Sequence, residues 1–531
     1  MCIVQPLDVD TAELANARLL DELSGGVGGV DIRLPVASVD PARLFEGVYV
    51  GMIAIHLSCG DAARLDEIAG FVAHTEGERS GGLHLGVDPF AAGAADPSAD
   101  LAAALRIGAA HDLPGTWLSA RGQGWHGAGA APSQQIAIAL ATTAEYLRRA
   151  EAGGLADPAT VFARTEYRLV ADQNQFLTIA RLRAFRRLHA LMAETCGFAA
   201  APAFVHAEAA RRMMTKRDPW VNILRATVAT FAAATGGADA ISTLPHTALL
   251  GLPDDDARRL SRNVQTVLME ESNIFRVADP AAGSGGIEAL TDALAERAWD
   301  EFRRIEAEGG LAASLASGAL SGRIAAHADA SRLAVARRRE PITGTSTWPL
   351  LTERRPSVAA PLPQAAAPAD AVPAHRIAEP WEALRDASDA HLAATGARPA
   401  IFLANLGPVS AYTLRSTWAK NLFEAGGIEA EGRGGHLTGE TLADAFAQSG
   451  ARIACLCSSD AAYETLAQDA ARALAAAGAA KILMAGRPGE READWRAAGV
   501  SAFVHEGLDM IALLRDLLAD LGVALPAPGQ E

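Results

Sequence analysis

The sequence pattern that decides the fold lies in residues 166–206, which read EYRLVADQNQFLTIARLRAFRRLHALMAETCGFAAAPAFVH. A short apolar run at 166–170 is followed by a segment at 175–194 in which apolar residues recur at i, i+3 and i+4. A second short apolar run follows at 203–206. Helical periodicity between two such runs predicts a strand, a helix and a second strand parallel to the first.

The same alternation runs through the first 340 residues. Strands are predicted at 3–6, 30–34, 54–57, 83–87, 116–119, 166–170, 203–206 and 240–244. Helical patterns between them include 11–23, 62–73, 133–150 and 175–194, and two longer ones follow at 255–271 and 287–308. Eight strands alternating with helices predict a (β/α)8 TIM barrel, with the last two helices outside or beyond it.

The composition changes after this region, and a second domain is predicted. Residues 341–395 are predicted to be a linker, because the sequence from 341 to about residue 380 is rich in Pro and Ala. From 396 to 531, strands are predicted at 400–404, 452–457, 481–484 and 502–504, with a weaker one near 427–430. Helical patterns alternate with them at 411–425, 437–448, 461–477 and 510–521. This order predicts an α/β domain with a flavodoxin-like doubly wound sheet, preceded by a barrel domain at 1–340.

Charge and cysteine content exclude several classes of protein. The 531 residues carry 47 Lys and Arg against 63 Asp and Glu, a net charge of −16, which disfavours nucleic acid and anionic membranes as partners. We find no signal peptide and no apolar run of membrane-spanning length, and we expect a cytoplasmic protein. An odd, sparse set of cysteines predicts neither a disulfide framework nor a zinc site. The cysteines are Cys2, Cys59, Cys196, Cys455 and Cys457.

Motifs of other enzyme classes are missing from the sequence or do not fit their context. No phosphate-binding loop, dinucleotide fingerprint, zinc-protease motif or nucleophile elbow occurs in the required setting. The glycine cluster at 283–286 favours a tight turn before a helix over an anion site. A signalling receiver is also disfavoured, because residues 405–407 offer no carboxylate and His505-Glu506 stands where a receiver has lysine.

Seven short stretches carry a resemblance to a known family. They are WHGAGA at 125–130, DPWVNILR at 218–225, ALLGLP at 248–253, RNVQ at 262–265, EESN at 270–273, VADP at 277–280 and EAEGG at 306–310. In this order they resemble methylmalonyl-CoA mutase. The resemblance implies a substrate-binding barrel joined by a long linker to a cobalamin-binding-type domain. It also implies a radical isomerisation of methylmalonyl-CoA and succinyl-CoA with adenosylcobalamin, a reaction of propionate metabolism.

The cobalamin-binding side of this resemblance is incomplete. In the family, the lower cobalt ligand is a histidine in an Asp-x-His-x-x-Gly loop after the first strand of the C-terminal domain, but the matching residues 405–412 read NLGPVSAY. The places that match the nucleotide-tail site read CSSD at 457–460 and AGRPG at 485–489, with an Arg-Pro pair where the family has small residues. His436 and His505 are assigned to loops rather than to a cobalt ligand. We expect this domain to keep the fold without binding the cofactor.

The catalytic side is incomplete as well. His126 resembles the histidine that polarises the thioester carbonyl, yet two residues fewer separate it from the following Ala-Gly-Ala, and we interpret it as vestigial. Active members carry a catalytic tyrosine near the first barrel strand, whereas here Tyr49 is the first tyrosine. Tyr167, Arg168 and Arg164 fit either ligand contacts or one polar face of a strand.

These departures match the small, non-catalytic subunit of heterodimeric bacterial methylmalonyl-CoA mutases. The resemblance then implies a large catalytic subunit as partner and adenosylcobalamin held in the complex by that subunit, with no catalytic, cofactor-binding or metal-binding residue in this chain. The alternative is a self-sufficient acyl-CoA mutase with altered cobalamin ligation. We expect the inward residues of the barrel strands to plug the barrel axis, so that no CoA binds there.

Overall fold

The computed structural model describes residues 1–34, 39–59, 61–75, 81–90, 97–199, 202–362, 374–432, 434–436 and 438–525. The chain divides into two compact units. The first unit comprises Met1–Met214, Pro219–Ala328 and Pro356–Arg376, and the second comprises Thr215–Asp218, Asp329–Arg355 and Ile377–Glu531.

The first unit is built on an eight-stranded parallel sheet. Its strands are β1 (Cys2–Asp8), β2 (Gly29–Arg33), β3 (Ala54–Ser58), β4 (Leu83–His84), β5 (Leu118–Arg121), β6 (Thr165–Ala171), β7 (Phe204–Ala209) and β8 (Ala240–Ser242). The strand order is β4-β3-β2-β1-β8-β7-β6-β5. The two edges meet where Val87 bridges Leu118 and the Ser119 amide donates to the Val87 carbonyl over 2.8 Å. The predicted (β/α)8 barrel is confirmed.

Helices alternate with these strands and cover the outside of the barrel. They are α1 (Ala12–Ser24), α2 (Pro41–Leu44), α3 (Ala62–His74), α4 (Ser98–Ala110), α5 (Gln123–Gly127), α6 (Pro132–Ala152), α7 (Pro158–Ala163), α8 (Gln175–Thr195), α9 (Val221–Thr235), α10 (Asp255–Glu270), α11 (Gly285–Ala307) and α12 (Leu311–Ala316). A further helix, α13 (Ala319–Ala336), contributes residues to both units. Side chains cap several of these helices; Asp254, for example, accepts the Ala257 amide at the start of α10.

The second unit contains a five-stranded parallel sheet in the order β10-β9-β11-β12-β13. Its strands are β9 (Ala400–Asn405), β10 (Glu429–Glu431), β11 (Ile453–Cys457), β12 (Lys481–Ala485) and β13 (Ala502–Val504). Its helices are α14 (Glu379–Thr395), α15 (Val409–Ala425), α16 (Gly439–Ser449), α17 (Asp460–Ala476), α18 (Glu492–Ala497) and α19 (Met510–Asp520). This 2-1-3-4-5 order is that of flavodoxin-like sheets, as predicted. Cys455 and Cys457 lie side by side in its core.

The segment predicted as linker contains regular structure at its C-terminal end. Residues 379–395 form α14, because Trp381 and Leu384 are fully buried in the core of the second unit. The part of the Pro- and Ala-rich stretch at 363–373 lies outside the described residues. Among the residues that the structure describes, we find no helix with the length and apolarity needed to cross a bilayer.

Candidate functional site

The strand register of the barrel places charged and imidazole side chains on its inner face. Aligned positions of parallel strands point to the same side of the sheet, and Asp31 on β2 aligns with His56 on β3 and His84 on β4. On the opposite side, Arg168 on β6 aligns with Arg121 on β5 and His206 on β7. Contacts between the two sides show that these positions face the barrel axis.

Arg168 is the centre of this inner layer. Its side chain is fully buried, and its Nε lies 2.6 Å from Glu166 Oε1 while its Nη1 lies 3.0 Å from Asp31 Oδ1. The same Nη1 lies 3.7 Å from Glu208 Oε1. Burial alone would lower the pKa of Arg168, but Glu166, Asp31 and Glu208 outweigh it and raise that pKa. Burial would raise the pKa of Glu166, but Arg168, assisted by His56 and His84, outweighs it and keeps that pKa well below its ordinary value. The layer is therefore a buried, ion-paired network.

Gly86 makes room for the guanidinium groups of this network. Its φ is +63°, and a Cβ at this position would lie 2.2 Å from the Leu57 carbonyl oxygen and 2.9 Å from Arg168 Nη2. Arg121 Nη2 donates to the Gly86 carbonyl over 2.8 Å. A side chain at residue 86 would exclude both arginines, so the glycine is required by a left-handed backbone and by close packing.

Three histidines pack beside Glu166 in the same layer. The rings of His56 and His84 are stacked with centroids 4.2 Å apart, and His206 lies 4.5 Å from His56. Burial, assisted by His56, lowers the pKa of His84 to about 3 and that of His206 well below its ordinary value. His84 and His206 are therefore neutral at pH 7, and they add bulk to the interior without adding charge.

His56, His84 and Glu166 bring three candidate metal-ligand atoms within 4.8 Å of one another. Zinc requires nitrogen ligands at about 2.0–2.1 Å whose lone pairs converge on the ion. The His56 and His84 planes differ by only 6°, so the in-plane lone pairs of the two rings run nearly parallel. Arg168 also donates to Glu166 and would repel a cation. This geometry is that of two stacked rings, and it does not fit a metal ion.

The inner layer fills the axis with side chains of an unexpected chemical type. Barrels of this kind usually fill their axis with branched aliphatic residues, which was the basis of the prediction of a plugged axis. Here the side chains of Arg168, Glu166, His56 and His206 fill the interior, and none of them has measurable solvent exposure. The inner residues are thus ones that the sequence analysis, apart from Arg168, did not assign.

The three residues singled out near β6 have different environments. Arg168 faces the axis, whereas Tyr167 faces outward, where its hydroxyl pairs with Thr143 over 3.1 Å. Arg164 precedes the strand and donates to the Pro114 and Gly115 carbonyls, both over 3.0 Å. The structure therefore does not bring Tyr167, Arg168 and Arg164 to a common site.

His126 lies on the short helix α5, and its ring is held in one tautomer by a chain of hydrogen bonds. Arg181 Nη1 donates to Gln135 Oε1 over 3.0 Å, which fixes the orientation of that amide because arginine has only donors. Gln135 Nε2 then donates to His126 Nδ1 over 3.1 Å. The proton of the neutral ring is consequently on Nε2. Burial lowers the pKa of His126 to about 3, so the ring is a neutral hydrogen-bond donor at pH 7.

In the second unit, residues 405–412 comprise the last residue of β9, a short connection at 406–408 and the first turn of α15. The His436 amide donates to the Asn405 carbonyl over 2.8 Å, and the Gly407 amide donates to the His436 carbonyl over 3.0 Å. His436 thus lies directly beside this loop, a placement that the sequence did not reveal. Its Nε2 is buried and has no hydrogen-bond partner among the described residues. His505 is more distant in the chain and contacts the Glu506 carbonyl through Nδ1 over 2.9 Å.

The carboxyl ends of β11 and β12 are covered by protein side chains. Arg415 from α15 donates to the Ser458 carbonyl over 2.7 Å and to Asp460 over 2.6 Å, with its guanidinium 5.1 Å above the Tyr463 ring. The buried Tyr463 hydroxyl lies 2.9 Å from the carbonyl oxygens of Leu456 and Ala485 and accepts the Ser458 amide. Arg415 and Tyr463 therefore cover residues 457–460 and Ala485, part of the places that were matched to a nucleotide-tail site.

The inner layer had a signal that the sequence analysis did not use. Charged or imidazole residues interrupt predicted strands at alternate positions, for example in GVDIR at 29–33, AIHLS at 54–58 and FVHAEA at 204–209. Strands buried on both faces should be almost wholly apolar. Polar residues that recur on one face of several such strands indicate an ion-paired barrel interior.

Comparison with known proteins agrees with this architecture. The family described as methylmalonyl-CoA mutase matches residues 98–379. A small subunit of methylmalonyl-CoA mutase from Streptomyces virginiae is 44% identical over 528 residues, covering 96% of this chain and 83% of that protein.

Two further similarities differ greatly in strength. A probable small subunit of methylmalonyl-CoA mutase from Mycobacterium bovis is 37% identical over 535 residues, covering 97% of this chain and 84% of that protein. A solved structure of Yersinia pestis DHPS has a TM-score of 0.30 and 14% identity, covering 51% of this chain and 93% of that chain, which is too weak a likeness to support an inference. On the strength of the sequence relatives, the chain belongs to the methylmalonyl-CoA mutase family and is similar to members named small subunits.

Proposed function

We propose that this chain is the non-catalytic small subunit of a heterodimeric, adenosylcobalamin-dependent methylmalonyl-CoA mutase. It supports a large catalytic subunit, which holds the cofactor and isomerises methylmalonyl-CoA and succinyl-CoA. The chain itself contributes no catalytic residue, no cofactor ligand and no metal ligand. We place the complex in the cytoplasm, and the free thiol state of all five cysteines fits that compartment.

The filled barrel axis is the observation that carries this proposal. A barrel that acts on a CoA thioester needs a channel for the long pantetheine arm. In this chain, Arg168 spans the axis from β6 to Asp31 on β2, and its guanidinium also donates to the Leu57 carbonyl on β3 over 3.1 Å. Opening the channel would separate these buried charges, at a cost of several kcal/mol. The interior is thus suited to rigidity rather than to substrate.

The residues at the carboxyl edge of the second sheet do not fit cobalamin. The loop at 405–412 provides no histidine to bind cobalt. At residues 457–460 and Ala485, which are part of the stretch matched to the nucleotide tail, the space is taken by the hydrogen-bonded network of Arg415 and Tyr463. A tail could enter only if this network were broken. We therefore assign the cofactor to the partner subunit.

His126 supports the same assignment. Its Nε2–H could still donate a hydrogen bond, as a group that polarises a carbonyl must. Arg212, which donates to the Gly127 carbonyl over 3.1 Å, and Arg181 both disfavour its protonation. With the axis filled, no thioester carbonyl can approach it through the barrel. The hydrogen bond to Gln135 is then a structural contact between α5 and α6.

Reconstitution with the large subunit tests this proposal. We expect no interconversion of the two acyl-CoA thioesters by the purified chain, and turnover by the co-purified heterodimer. In the heterodimer, His126→Ala should leave kcat within about twofold, whereas loss of a general acid or base typically costs about 100-fold or more. His126→Gln, which keeps a hydrogen-bond donor, is the matched control. Turnover by the isolated chain, or a large loss of kcat in an intact His126→Ala heterodimer, would refute the proposal.

The second candidate, a self-sufficient acyl-CoA mutase with altered cobalamin ligation, is favoured by one observation. His436 lies beside the 405–407 backbone with an unpartnered, buried Nε2. A titration of the isolated chain with hydroxocobalamin distinguishes the two functions. A saturable spectral change that His436→Ala removes and His505→Ala does not would establish the second function, and an unchanged corrin spectrum would rule it out.

A further inference from the structure

A cavity of about 490 Å³ in the second unit has four arginines among its nine lining residues. Three consecutive arginines, residues 337–339, follow the end of α13, and Arg487 follows β12. Glu506, just after β13, lies on the same cavity. In open α/β sheets, ligands bind outside the carboxyl ends of the strands. The cavity lies beyond the carboxyl ends of β12 and β13, the two strands at one edge of the sheet.

The charge of this cavity is not balanced by the protein. Its described lining residues include four arginines and one carboxylate, that of Glu506. Among the described residues, no carboxylate lies within ion-pairing distance of Arg337, Arg339 or Arg487. The Nε of Arg337 is buried and has no hydrogen-bond partner. A buried donor without an acceptor costs free energy, and an anion in the cavity would supply the acceptor.

Helix dipoles explain only part of this arrangement. The C-terminal end of α13 favours positive charge, which accounts for a cation near residue 337. Met510, the first residue of α19, lines the same cavity, and the N-terminus of this helix is capped by the Asp509 carboxylate. Arg338 is also held at a φ of +56°, a conformation that non-glycine residues seldom adopt without a functional reason. An anion would relieve the repulsion among these groups.

The remaining lining residues narrow the chemistry of the anion. Trp418 on α15 presents a half-buried indole to the cavity. Flat aromatic side chains stack on planar rings, and several guanidiniums suit more than one phosphate. We propose that this cavity binds an organic polyphosphate of the nucleotide class, with its phosphates on the arginines and its base against Trp418. The site goes beyond the proposed function and does not depend on it.

Calorimetric titration of the full-length chain with ADP tests the site. We expect saturable binding that weakens as salt rises, because the contacts are ionic. Pyrophosphate should bind more weakly than ADP, and adenosine should not bind. Coenzyme A, which also carries an adenosine diphosphate group, tells whether the natural ligand is a free nucleotide or a CoA species. Saturable binding of ADP or of coenzyme A supports the site, and the one that binds more tightly indicates the class of the natural ligand. The absence of binding by both up to about 1 mM, a bound of about 4 kcal/mol, overturns it.

Variants separate this cavity from nonspecific attraction. Arg487→Ala should weaken ADP about tenfold or more, the loss of one charge-assisted hydrogen bond. Arg472→Ala removes the same charge from an exposed site on α17 and should leave affinity unchanged. Glu506→Gln should tighten the binding of ADP. Trp418→Leu should weaken the binding of ADP but not that of pyrophosphate. Equal losses for Arg487→Ala and Arg472→Ala, or weaker binding by Glu506→Gln, would show that ADP does not occupy this cavity.

Discussion

Two arginine clusters of this chain differ in how their charge is balanced. In the barrel, Arg168 Nε lies 2.6 Å from Glu166 and its Nη1 lies 3.0 Å from Asp31, with every partner buried. In the cavity of the second unit, Arg487 and Arg339 have no carboxylate at ion-pairing distance among the described residues. Both clusters lie in α/β folds, at or near the places where such folds usually bind ligands.

The difference indicates what each cluster can do. A buried guanidinium surrounded by carboxylates has all its electrostatic needs met within the protein, and any ligand must compete with those partners. A cluster of guanidinium groups without carboxylate partners is stabilised when an anion binds to it. The barrel cluster is therefore a structural element that fills the barrel interior, whereas the cavity cluster is the proposed binding element.

Removal of the central guanidinium should have the largest effect. Arg168→Ala leaves Glu166 and Asp31 buried without their partner, and we expect a loss of about 3–5 kcal/mol in the free energy of unfolding. Urea denaturation of the full-length chain measures it, with Arg472→Ala as the exposed control. Adding Glu166→Gln to Arg168→Ala should restore part of the loss, as expected for a coupled pair. Additive effects would contradict a shared network.

As the pH is lowered from neutrality, the free energy of unfolding should fall before the carboxylates titrate. Burial lowers the pKa of His84 to about 3 and that of His206 well below its ordinary value. As pH falls below about 6.5, the unfolded chain therefore binds protons that the folded chain does not, and each histidine removes about 1.4 kcal/mol per pH unit. The lowered pKa values of Asp31 and Glu166 act in the same direction, since their stabilisation is lost only at pH below about 4.

A single substitution isolates the contribution of one imidazole. His84→Gln should make the dependence of unfolding free energy on pH between about 6 and 4 shallower by about one proton. His74→Gln, at an exposed position on α3, is the matched control. Denaturation curves at several pH values measure both slopes. Identical slopes for His84→Gln and the unsubstituted chain would mean that this ring is protonated in the folded state.

The sequence was sufficient to predict the fold because periodicity is a local property. The runs at 166–170 and 203–206 correspond to β6 and β7, and the weak signal near 427–430 corresponds to β10. The helix α14 was not predicted because the neighbouring Pro- and Ala-rich text obscured it. Its helical state depends on the burial of Trp381, a tertiary effect that no local pattern shows.

The site was predictable only where chemistry lies in contiguous residues. The absence of a histidine from residues 405–412 is visible in the sequence, whereas His436 reaches the same loop through pairing between segments that are distant in the chain. The partners of Arg168 come from β2 and β6, more than 130 residues apart. The unpaired arginines at 337–339 acquire meaning only when Arg487 is seen on the same cavity.

The Tyr463 hydroxyl should have an intermediate effect. Tyr463→Phe removes a buried group that accepts the Ser458 amide and lies 2.9 Å from two strand carbonyls, so we expect a loss of about 1–3 kcal/mol. Tyr412→Phe is the matched control, since no described residue hydrogen-bonds to the Tyr412 hydroxyl. Thermal unfolding compares the two variants. An equal effect of both would mean that Tyr463 does not hold the carboxyl ends of β11 and β12 together.

Removal of Arg487 should have the smallest effect on stability, in contrast to the removal of Arg168. Arg487→Ala should change the free energy of unfolding by less than about 0.5 kcal/mol without ligand, because it breaks no ion pair and relieves repulsion from the neighbouring arginines. With ADP present, the unsubstituted chain should gain stability as RT ln(1 + [L]/Kd), and the variant should gain less. Urea denaturation with and without ADP measures both. A loss of more than about 1 kcal/mol without ligand would show that Arg487 has a structural partner, and the contrast between the balanced and unbalanced clusters would then fail.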